Sequence, residues 1–363
     1  MLLDRRTFAA SSTALLAACA TTGTRPPRVA NCTPLPPVNV DAGRVIRTVA
    51  GLRPYRRSGF VVRQEALGDK RLVHNYGHGG SGITLCWGTS RLAANLGLPG
   101  HSGAVAVLGA GAVGLTTARL VQEAGFPVTV YAKALPPHTT SNIAGGQIAT
   151  AYLYKEDAVT PEWKAQLLAA MDYSWRRWQI MVGDEYAIRW LPTYEQIEDL
   201  QPSPMDPYYP ATRRLGQLDH PFPIDNIVRY ETMYVETGHF LRQMMRDISI
   251  AGGRFDVRDF PTPEAISGLP EKLIFNCTGL GSRELFGDQE LRPARGQLAI
   301  LLPQPDIRYA VSGGPGYMFP RADGIILGGS FELDQFDANP DPAAVGRIIE
   351  RHKRFFAGFR CTA

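Results

Sequence analysis

The pattern of hydrophobic and polar positions is clearest between residues 103 and 135. An apolar run, AVAVLG, precedes a stretch with apolar residues at helical spacing, AVGLTTARLVQEAG, and a second apolar run, PVTVYA, follows it. Short apolar runs are typical of buried strands, and recurrence at about 3.6 residues is typical of an amphipathic helix. The order strand, helix, strand predicts a βαβ unit and therefore a parallel sheet.

Three further helices are predicted along the chain. PEWKAQLLAAMDYSWRRWQIM follows Thr160, a suitable cap, and begins with Pro161; DPAAVGRIIERHKRFFAGF begins with the capping residue Asp341 and then Pro342. A side-chain oxygen before the helix and a proline in its first turn satisfy or avoid the free amide groups there. The third, GHFLRQMMRDISIAGG, is predicted to end at Gly252.

The remaining pattern gives strands and connections. KLIFNCTGLGS, QLAILL and GIILGGSF are predicted as strands, the first of them running into a glycine turn. Residues 191–223 are polar and rich in proline, which predicts a long excursion outside the sheet. Residues 20–40 are rich in threonine and proline, so we expect a tether or an extended arm, with the fold beginning near Arg44.

Composition limits the class of protein. The chain has 363 residues, of which 44% are apolar and 9% aromatic, enough for two domains. The formal charge of +4 arises from dispersed lysines and arginines without a basic block, so the pattern of a nucleic-acid binder is absent and a small molecule is the expected partner.

The first residues indicate targeting rather than fold. Arg5 and Arg6 precede a short apolar region, residues 8–18, and LAAC ends at Cys19. This resembles a twin-arginine export signal with a lipoprotein cleavage box, which implies a lipidated Cys19 and an exported protein, periplasmic or anchored to the membrane. An internal helix or membrane anchor is the alternative, but the apolar run is shorter than the roughly 20 residues that span a bilayer.

Cysteine and histidine spacing does not indicate a metal. The chain contains five cysteines, without a CxxC pair or a cysteine and histidine cluster of zinc spacing. His74 and His78 are four residues apart, but the glycines around them argue against a shared helix face. We predict no metal site, and we expect Cys86 and Cys277, which lie in apolar sequence, to be buried.

A glycine fingerprint lies between the strand and the helix of the βαβ unit. Gly109, Gly111 and Gly114 form GxGxxG in the context that makes the motif informative. The first glycine permits a tight turn, the second lets a pyrophosphate approach the backbone, and the third lets the helix pack against the strand. The helix N-terminus attracts the negative charge. We therefore predict a dinucleotide site, with a flavin or a nicotinamide dinucleotide still open.

The acidic residue that usually binds the adenosine ribose is missing. Lys133 stands at the end of the second strand. Other groups hold the ribose, Lys133 lies along a phosphate, or Lys133 is solvated; the sequence leaves these open. Downstream, HTTSNIAGGQ offers hydroxyls and glycines for the phosphates and ring of a flavin: Thr139, Thr140, Ser141, Gly145 and Gly146.

Five motifs together resemble the FAD-dependent D-amino-acid oxidase and D-aspartate oxidase family. They are HNYGHGGSG, VAGLRPYRRSGFVVRQE, FNCTGLGS, ARGQLAI and GYMFP, and the similarity covers roughly residues 45–356. The resemblance implies an α/β fold, with a Rossmann-like FAD-binding domain and a second, mixed-sheet substrate domain. It also implies FAD as the cofactor.

The order of these motifs differs from that of the family. GLRP and HNYGHGG lie near the C-terminal end in the family, whereas here they precede the fingerprint, which indicates a circular permutation joined through PGHSGA. A misordered sequence is the alternative. The expected organisation is a signal (1–19), an arm (20–43), an FAD domain (44–155, with the permuted segment 44–100 and the βαβ unit 103–155), a mainly substrate domain (156–271), a return to the FAD domain (272–300), substrate-site strands (301–322), and an FAD-domain strand and terminal helix (323–363).

The resemblance also assigns site residues. Arg53 matches the arginine that binds the substrate carboxylate, Tyr317 the tyrosine that adds a hydroxyl bond, and Gly80 the glycine whose carbonyl receives the substrate amine. A surface arginine and a core tyrosine are the alternatives. The family's second active-site tyrosine corresponds to Gly313, and Ser81 replaces a residue that is often aromatic, so the pocket is expected to be more open. The glycine loop contributes these cofactor candidates: Gly79, Gly80, Ser81, Gly82, Ile83 and Thr84.

Two further predictions concern the residues around the glycine loop and the two cysteines near the ends of the chain. His74, Asn75 and His78 are interpreted as residues that brace the glycine loop. Cys32 and Cys361 would be neighbours in the family's order, and an exported protein meets an oxidising compartment, so we hypothesise a disulfide between them, with two free thiols as the alternative.

The predicted function is FAD-dependent oxidation of a D-amino acid by hydride transfer from its α-carbon to flavin N5. The products would be a 2-oxo acid, ammonia and, from oxygen, hydrogen peroxide. A flavin dehydrogenase that passes electrons to a membrane acceptor and a non-catalytic flavin-binding lipoprotein are the alternatives.

Overall fold

The computed structural model describes residues 32, 34–197 and 201–361. Within them, the strands form two sheets, one of six strands and one of nine. The smaller sheet has the order β2 (Val61–Leu67), β3 (Lys70–Tyr76), β10 (Leu273–Asn276), β4 (Val105–Leu108), β5 (Val128–Ala132) and β9 (Arg254–Val257). From β3 to β9 all neighbours are parallel, as the βαβ pattern predicted.

The larger sheet is mixed. Its order is β1 (Val45–Tyr55), β11 (Arg292–Leu301), β14 (Gly324–Gly328), β13 (Gly316–Arg321), β12 (Ala310–Gly313), β6 (Ile188–Gln196), β8 (Ile227–Val235) and β7 (Arg213–Leu215), with β15 (Glu332–Leu333) also on β11. The pairing is antiparallel except between β12 and β6. The α/β class and the two-sheet arrangement predicted for the fold are therefore confirmed.

The helices cover both sheets. They are α1 (Gly82–Gly97), α2 (Ala112–Glu123), α3 (Thr140–Ile143), α4 (Pro161–Ile180), α5 (Thr237–Ile250), α6 (Pro263–Ser267), α7 (Ser282–Leu285) and α8 (Pro342–Ala357). The predicted caps are confirmed: the Thr160 side chain accepts from the Trp163 amide and that of Asp341 from the Ala343 amide. None of the helices in the described ranges is long and apolar enough to cross a membrane.

Hydrophobic clusters lie on both faces of each sheet. One face of the smaller sheet packs on α1, α2, α4 and α5, and its other face on α6 and α7. The larger sheet packs on α8 on one face. Its other face carries Leu298, Phe319 and Tyr234. This last face looks toward the smaller sheet, so the space between the sheets is where a site can form.

Several expected domain assignments are wrong: β11 and α8 were expected in the FAD domain, but β11 is a strand of the larger sheet and α8 packs on that sheet. The strand at 324–328 was expected in the FAD domain, but β14 pairs with β11 and β13 in the larger sheet. Within 44–100, β1 likewise pairs with β11, and only the chain from Val61 onward joins the smaller sheet. Composition did not separate these strands because apolar runs look alike in both sheets.

The expected excursion at 191–223 and the start of the fold also need correction. Residues 191–196 belong to β6, where Leu191 and Tyr194 are buried in clusters on opposite faces of the sheet. The arm packs on the fold well before Arg44, because Val38 and Val40 are buried in the cluster under α8. The Tyr309 hydroxyl also donates to the Pro36 carbonyl at 2.8 Å.

A disulfide joins Cys32 to Cys361, with 6.5 Å between the two Cα atoms. The hypothesised pairing is thus present in the structure, and it ties the arm to the residues that follow α8. Cys86 and Cys277 are free thiols and buried, as expected from their apolar settings.

We predict that Cys361→Ser destabilises the oxidised protein by about 3 kcal/mol, because the bridge closes a long loop and restricts the unfolded chain. Urea unfolding of both proteins without reductant measures this difference. With dithiothreitol the two curves should coincide; a difference that persists in reductant would mean that the serine disturbs packing instead.

Candidate active site

A cavity of about 1140 Å³ lies between the two sheets. On one side it is lined by the carboxyl ends of β3, β4, β5, β9 and β10, and on the other by β1, β6, β11, β12 and β13. The carboxyl edge of a parallel sheet is where open α/β folds bind their ligands. The volume is ample for a dinucleotide together with a small substrate.

Gly109 and Gly111 of the fingerprint line this cavity, and Gly114 lies behind them. Gly109 has φ +104°, and a Cβ on it would lie 2.5 Å from the Cys277 carbonyl oxygen, so only glycine fits. A Cβ on Gly114 would overlap the Gly109 carbonyl, which is why α2 can pack so closely on its strand. Gly111 caps α2, and the free amides of that helix point to where a pyrophosphate can bind.

Hydroxyl groups from the following segment approach the same helix terminus. The Ser141 hydroxyl accepts from the Ala112 amide at 3.0 Å. Thr139 and Thr140 line the cavity beside it, as do Gly145 and Gly146. All five predicted residues therefore line the cavity, and Ser141 lies at the fingerprint, where its hydroxyl can bind a phosphate oxygen.

A carboxylate that the sequence did not indicate lies next to Lys133. The Lys133 ammonium is 3.5 Å from the Asp259 carboxylate, both side chains are exposed, and both residues line the cavity. Asp259 follows β9, the parallel neighbour of β5, so it reaches the edge position from an adjacent strand. A ribose can therefore meet an acid here although the end of β5 carries a lysine. The sequence could have indicated this acidic residue only if the pairing of β5 with β9 had been predicted.

The glycine loop after β3 is packed against the segment that follows α3. Gly79 has φ +53°, and a Cβ there would overlap the Tyr152 carbonyl. The Gly80 amide donates to the same carbonyl at 3.2 Å, and Gly80 is exposed to the cavity. Gly82 and Ile83 also line it. The loop thus offers backbone groups to the middle of the cavity, which fits a flat ring system bound between backbone segments.

Three predicted cofactor residues do not line the cavity. They are Gly114, Ser81 and Thr84. The Ser81 hydroxyl exchanges hydrogen bonds with the Ala151 carbonyl and amide, and that of Thr84 does so with Ala149. Both side chains therefore fasten the glycine loop to the segment facing it.

His78 and Asn75 are inside the protein behind that loop. The His78 Nε2 is 2.9 Å from the Thr89 hydroxyl, and burial lowers the pKa of this imidazole to about 3. The Asn75 amide lies within 3.4 Å of the Ser90 and Thr117 hydroxyls. His74 is fully buried on β3, where its Nδ1 is 2.9 Å from the Asn276 amide. These contacts support the bracing role expected for all three residues. No group of three or more potential metal ligands occurs among the described residues.

Arg53 and Tyr317 lie on the larger sheet, on the face toward the cavity. The Arg53 guanidinium occupies the position a Cβ on Gly296 would take, and the Tyr317 ring does the same at Gly328. The guanidinium donates to the Ser330 carbonyl at 3.4 Å, and no carboxylate pairs with it among the residues described. The structure thus brings together the two predicted carboxylate-binding side chains, with the cation free to bind an anion.

Tyr152 is a site residue that sequence reasoning missed. Its ring lies 5.7 Å from the Arg53 guanidinium carbon and stacks on Phe331 at 4.7 Å between centroids. Its φ of +49° is unusual for a residue with a side chain. The β12 to β13 hairpin, by contrast, turns tightly through Gly313 and Gly316, which are paired, so no side chain from Gly313 covers the site.

A glycine-rich parallel sheet edge beside a guanidinium without a carboxylate partner is typical of a dinucleotide-dependent enzyme of small substrates. The sequence matches the family described as FAD dependent oxidoreductase (DAO) over residues 28–96 and 104–362. The chain belongs to this family. It is therefore an FAD-dependent oxidoreductase, and the cradle of backbone around Gly79, Gly109 and Gly146 fits the cofactor.

The sequence identity to individual relatives is low. The chain is 27% identical over 283 residues to a D-amino-acid oxidase of Streptomyces coelicolor, covering 69% of this chain and 77% of that protein. It is 24% identical over 262 residues to human D-aspartate oxidase, covering 68% and 74% respectively. The solved structure of iminodiacetate oxidase from Chelativorans sp. BNC1 has a TM-score of 0.50 at 17% identity, covering 70% of this chain and 79% of that one, which shows a shared fold.

We predict that Asp259→Asn weakens FAD binding about tenfold, because a ribose hydroxyl loses a charged acceptor. Titration of the apoprotein with FAD, followed by flavin fluorescence, measures the affinity. Asp69→Asn is the matched control, since Asp69 is also an exposed carboxylate paired with a lysine, Lys272, but neither residue of that pair lines the cavity. Equal affinities in the two variants would remove Asp259 from the cofactor site.

Proposed function

We propose that this protein oxidises a D-amino acid at its α-carbon. The observation that carries the proposal is the pairing of Arg53 with Tyr317 in the same cavity as the dinucleotide fingerprint. A guanidinium without a protein counter-ion binds a carboxylate through two parallel hydrogen bonds. The relatives named as D-amino-acid oxidases support the handedness.

Tyr317 contributes a neutral hydroxyl to the carboxylate site. Burial raises the pKa of Tyr317 above its usual 10.0, although the positive charge of Arg53 lowers it. The hydroxyl therefore keeps its proton at neutral pH and can donate it to a carboxylate oxygen. Its ring is held by stacking on Phe319, at 4.7 Å between centroids. Arg53 and Tyr317 together fix one end of the substrate.

The glycine loop would orient the other polar group of the substrate. The Gly80 carbonyl is the candidate acceptor for the amine, and with the carboxylate fixed at Arg53 this leaves one orientation for the hydrogen on the α-carbon. FAD, when bound, supplies the hydride acceptor. Tyr152 lies over the Arg53 guanidinium and forms part of the cavity wall beside it.

In the proposed reaction, the amino acid loses a hydride from its α-carbon and a proton from its nitrogen. The resulting imino acid is hydrolysed by water to a 2-oxo acid and ammonia. Oxygen takes up the two electrons and two protons and leaves as hydrogen peroxide. The second candidate electron acceptor is a membrane electron carrier, because Gly313 in the β12 to β13 hairpin contributes no side chain to cover the site.

We also propose that the chain is exported. The twin-arginine signal and Cys19 lie outside the described residues, so the support comes from the sequence and from the disulfide between Cys32 and Cys361. Disulfides persist in oxidising compartments such as the periplasm. Twin-arginine export carries folded proteins, which suits one that acquires its cofactor in the cytoplasm.

The permuted order of the motifs is likewise our proposal. The family match falls into two segments, and residues 97–103 between them contain most of the PGHSGA link. In the family's order Cys361 would be followed by the segment around Cys32, and the Cα atoms of these residues are 6.5 Å apart. A short peptide link could therefore join these two ends in place of the disulfide. Circular permutation requires such neighbouring ends.

The first test is the visible spectrum of the purified protein without oxygen, before and after a mixture of D-amino acids is added. We predict a flavin band that bleaches with the D mixture and persists with the L mixture. Readmission of air should then restore the band and release hydrogen peroxide; slow reoxidation by air and fast reoxidation by a quinone would identify a dehydrogenase. A band unchanged by every D-amino acid would contradict the proposal.

A second test removes the carboxylate-binding cation. We predict that Arg53→Ala lowers kcat/KM for D-amino acids at least about 100-fold, because a charged, two-pronged interaction worth about 3 kcal/mol is lost. The flavin band should remain. Arg57→Ala is the control, since Arg57 is exposed and pairs with Asp157 outside the cavity. Loss of flavin with normal turnover per remaining flavin would assign Arg53 to the cofactor instead.

A further inference from the structure

The cavity extends beyond the carboxylate site to an acidic side chain, that of Glu195 on β6. The sheet register places it: Glu195 is opposite Ser312 on β12, and Ser312 is opposite Tyr317 on β13. Residues directly opposite one another in a sheet project to the same face. Glu195 therefore lies on the same cavity wall as Tyr317, two strands away.

Glu195 is held in place by neutral groups. The Tyr230 hydroxyl donates to its Oε2 at 2.8 Å, and the Gln147 amide is within 3.3 Å of that hydroxyl. No lysine, arginine or histidine in the described ranges forms an ion pair with it. Burial raises the pKa of this carboxyl, while the bond from Tyr230 lowers it. A half-buried carboxylate without a cation is costly unless a ligand supplies the charge.

The separation between the two ends of the wall limits what can bridge them. Tyr317 lies over Gly328 of β14, and β14, β13, β12 and β6 are consecutive in the sheet. Adjacent strands are about 4.8 Å apart, so Glu195 is on the order of 14 Å along the sheet from the Tyr317 hydroxyl, and the Arg53 guanidinium, over Gly296 of β11, lies one strand beyond that hydroxyl. Only a long substrate side chain reaches from one end toward the other. Gly313 lines the path between them and adds no side chain to block it.

We propose that Glu195 selects D-amino acids whose long side chain ends in a cation, of the length of lysine or arginine. The proposal rests on the proposed function and names its substrate class. The substrate carboxylate binds Arg53, and its terminal ammonium or guanidinium binds the carboxylate of Glu195. The aliphatic part of the substrate side chain, between the two charged groups, lies along the cavity wall beside Ser312 and Gly313.

The test compares kcat/KM of the FAD-loaded protein for four substrates: D-lysine and D-arginine, and the uncharged D-norleucine and D-methionine. We expect the cationic substrates to be favoured at least about tenfold, since a buried charged group discriminates strongly against a ligand that leaves it unpaired. D-2,3-Diaminopropionate, whose cation is too short to reach Glu195, should lose this advantage. This substrate series needs no variant, so it decides the question even if a substitution impairs folding.

Two substitutions make the test specific to one side chain. Glu195→Gln should reduce the ratio of kcat/KM for D-lysine to kcat/KM for D-norleucine about tenfold or more. Glu195→Lys should shift the preference toward D-glutamate. Glu231→Gln is the control, because Glu231 is on the neighbouring strand β8 but pairs with Arg229 and does not line the cavity.

The outcomes separate the two proposals. If neutral D-amino acids reduce the flavin and the cationic ones are not preferred, the role of Glu195 is wrong and the proposed function stands. An unchanged preference in Glu195→Gln would also overturn it. If no D-amino acid reduces the flavin, both proposals fail together.

Discussion

The site depends on two places where the larger sheet has no side chain. Arg53 and Tyr317 lie flat against the sheet only because Gly296 and Gly328 leave the space that a Cβ would fill. With any other residue at these positions, both polar groups would have to turn away from each other or push the sheet apart. The absence of side chains at Gly296 and Gly328 therefore lets the Arg53 cation and the neutral Tyr317 hydroxyl lie on the same face of the sheet. There both groups can donate hydrogen bonds to one carboxylate.

Other glycines allow close backbone approaches on the side of the cavity where FAD would bind. Gly79 and Gly146 bring the backbone of one segment against the carbonyl groups of another, and Gly109 does so between two strand ends. Backbone groups are fixed by the fold, so they present hydrogen-bonding partners without the entropy cost of ordering long side chains. Ser81 and Thr84 hold the two segments together from behind. The cavity wall is thus rigid where a flat ring would lie.

These contacts are compatible with the circular permutation that we propose. What positions Arg53 is its pairing with β11, and what positions the glycine loop is its contact with residues 149–152. Both are contacts between segments far apart along the chain, and neither depends on which segment is made first. The short link after α1 and the bridge between Cys32 and Cys361 join elements that are already neighbours.

The sequence determined the local features: the βαβ unit, the caps at Thr160 and Asp341 and the dinucleotide fingerprint; the motif resemblance pointed to Arg53, Gly80 and Tyr317, which all line the cavity. Each depends on residues that are close along the chain or on a motif that can be read directly. It did not determine that Val45–Tyr55 and Gly324–Gly328 join the larger sheet, because a buried apolar strand has the same pattern in either sheet. Asp259, Tyr152 and Glu195 reach the cavity only through strand pairing and packing between distant segments. Such side chains carry no local signal, so the tertiary structure alone decided that a carboxylate faces Lys133 and that another, that of Glu195, lies on the same cavity wall as Tyr317.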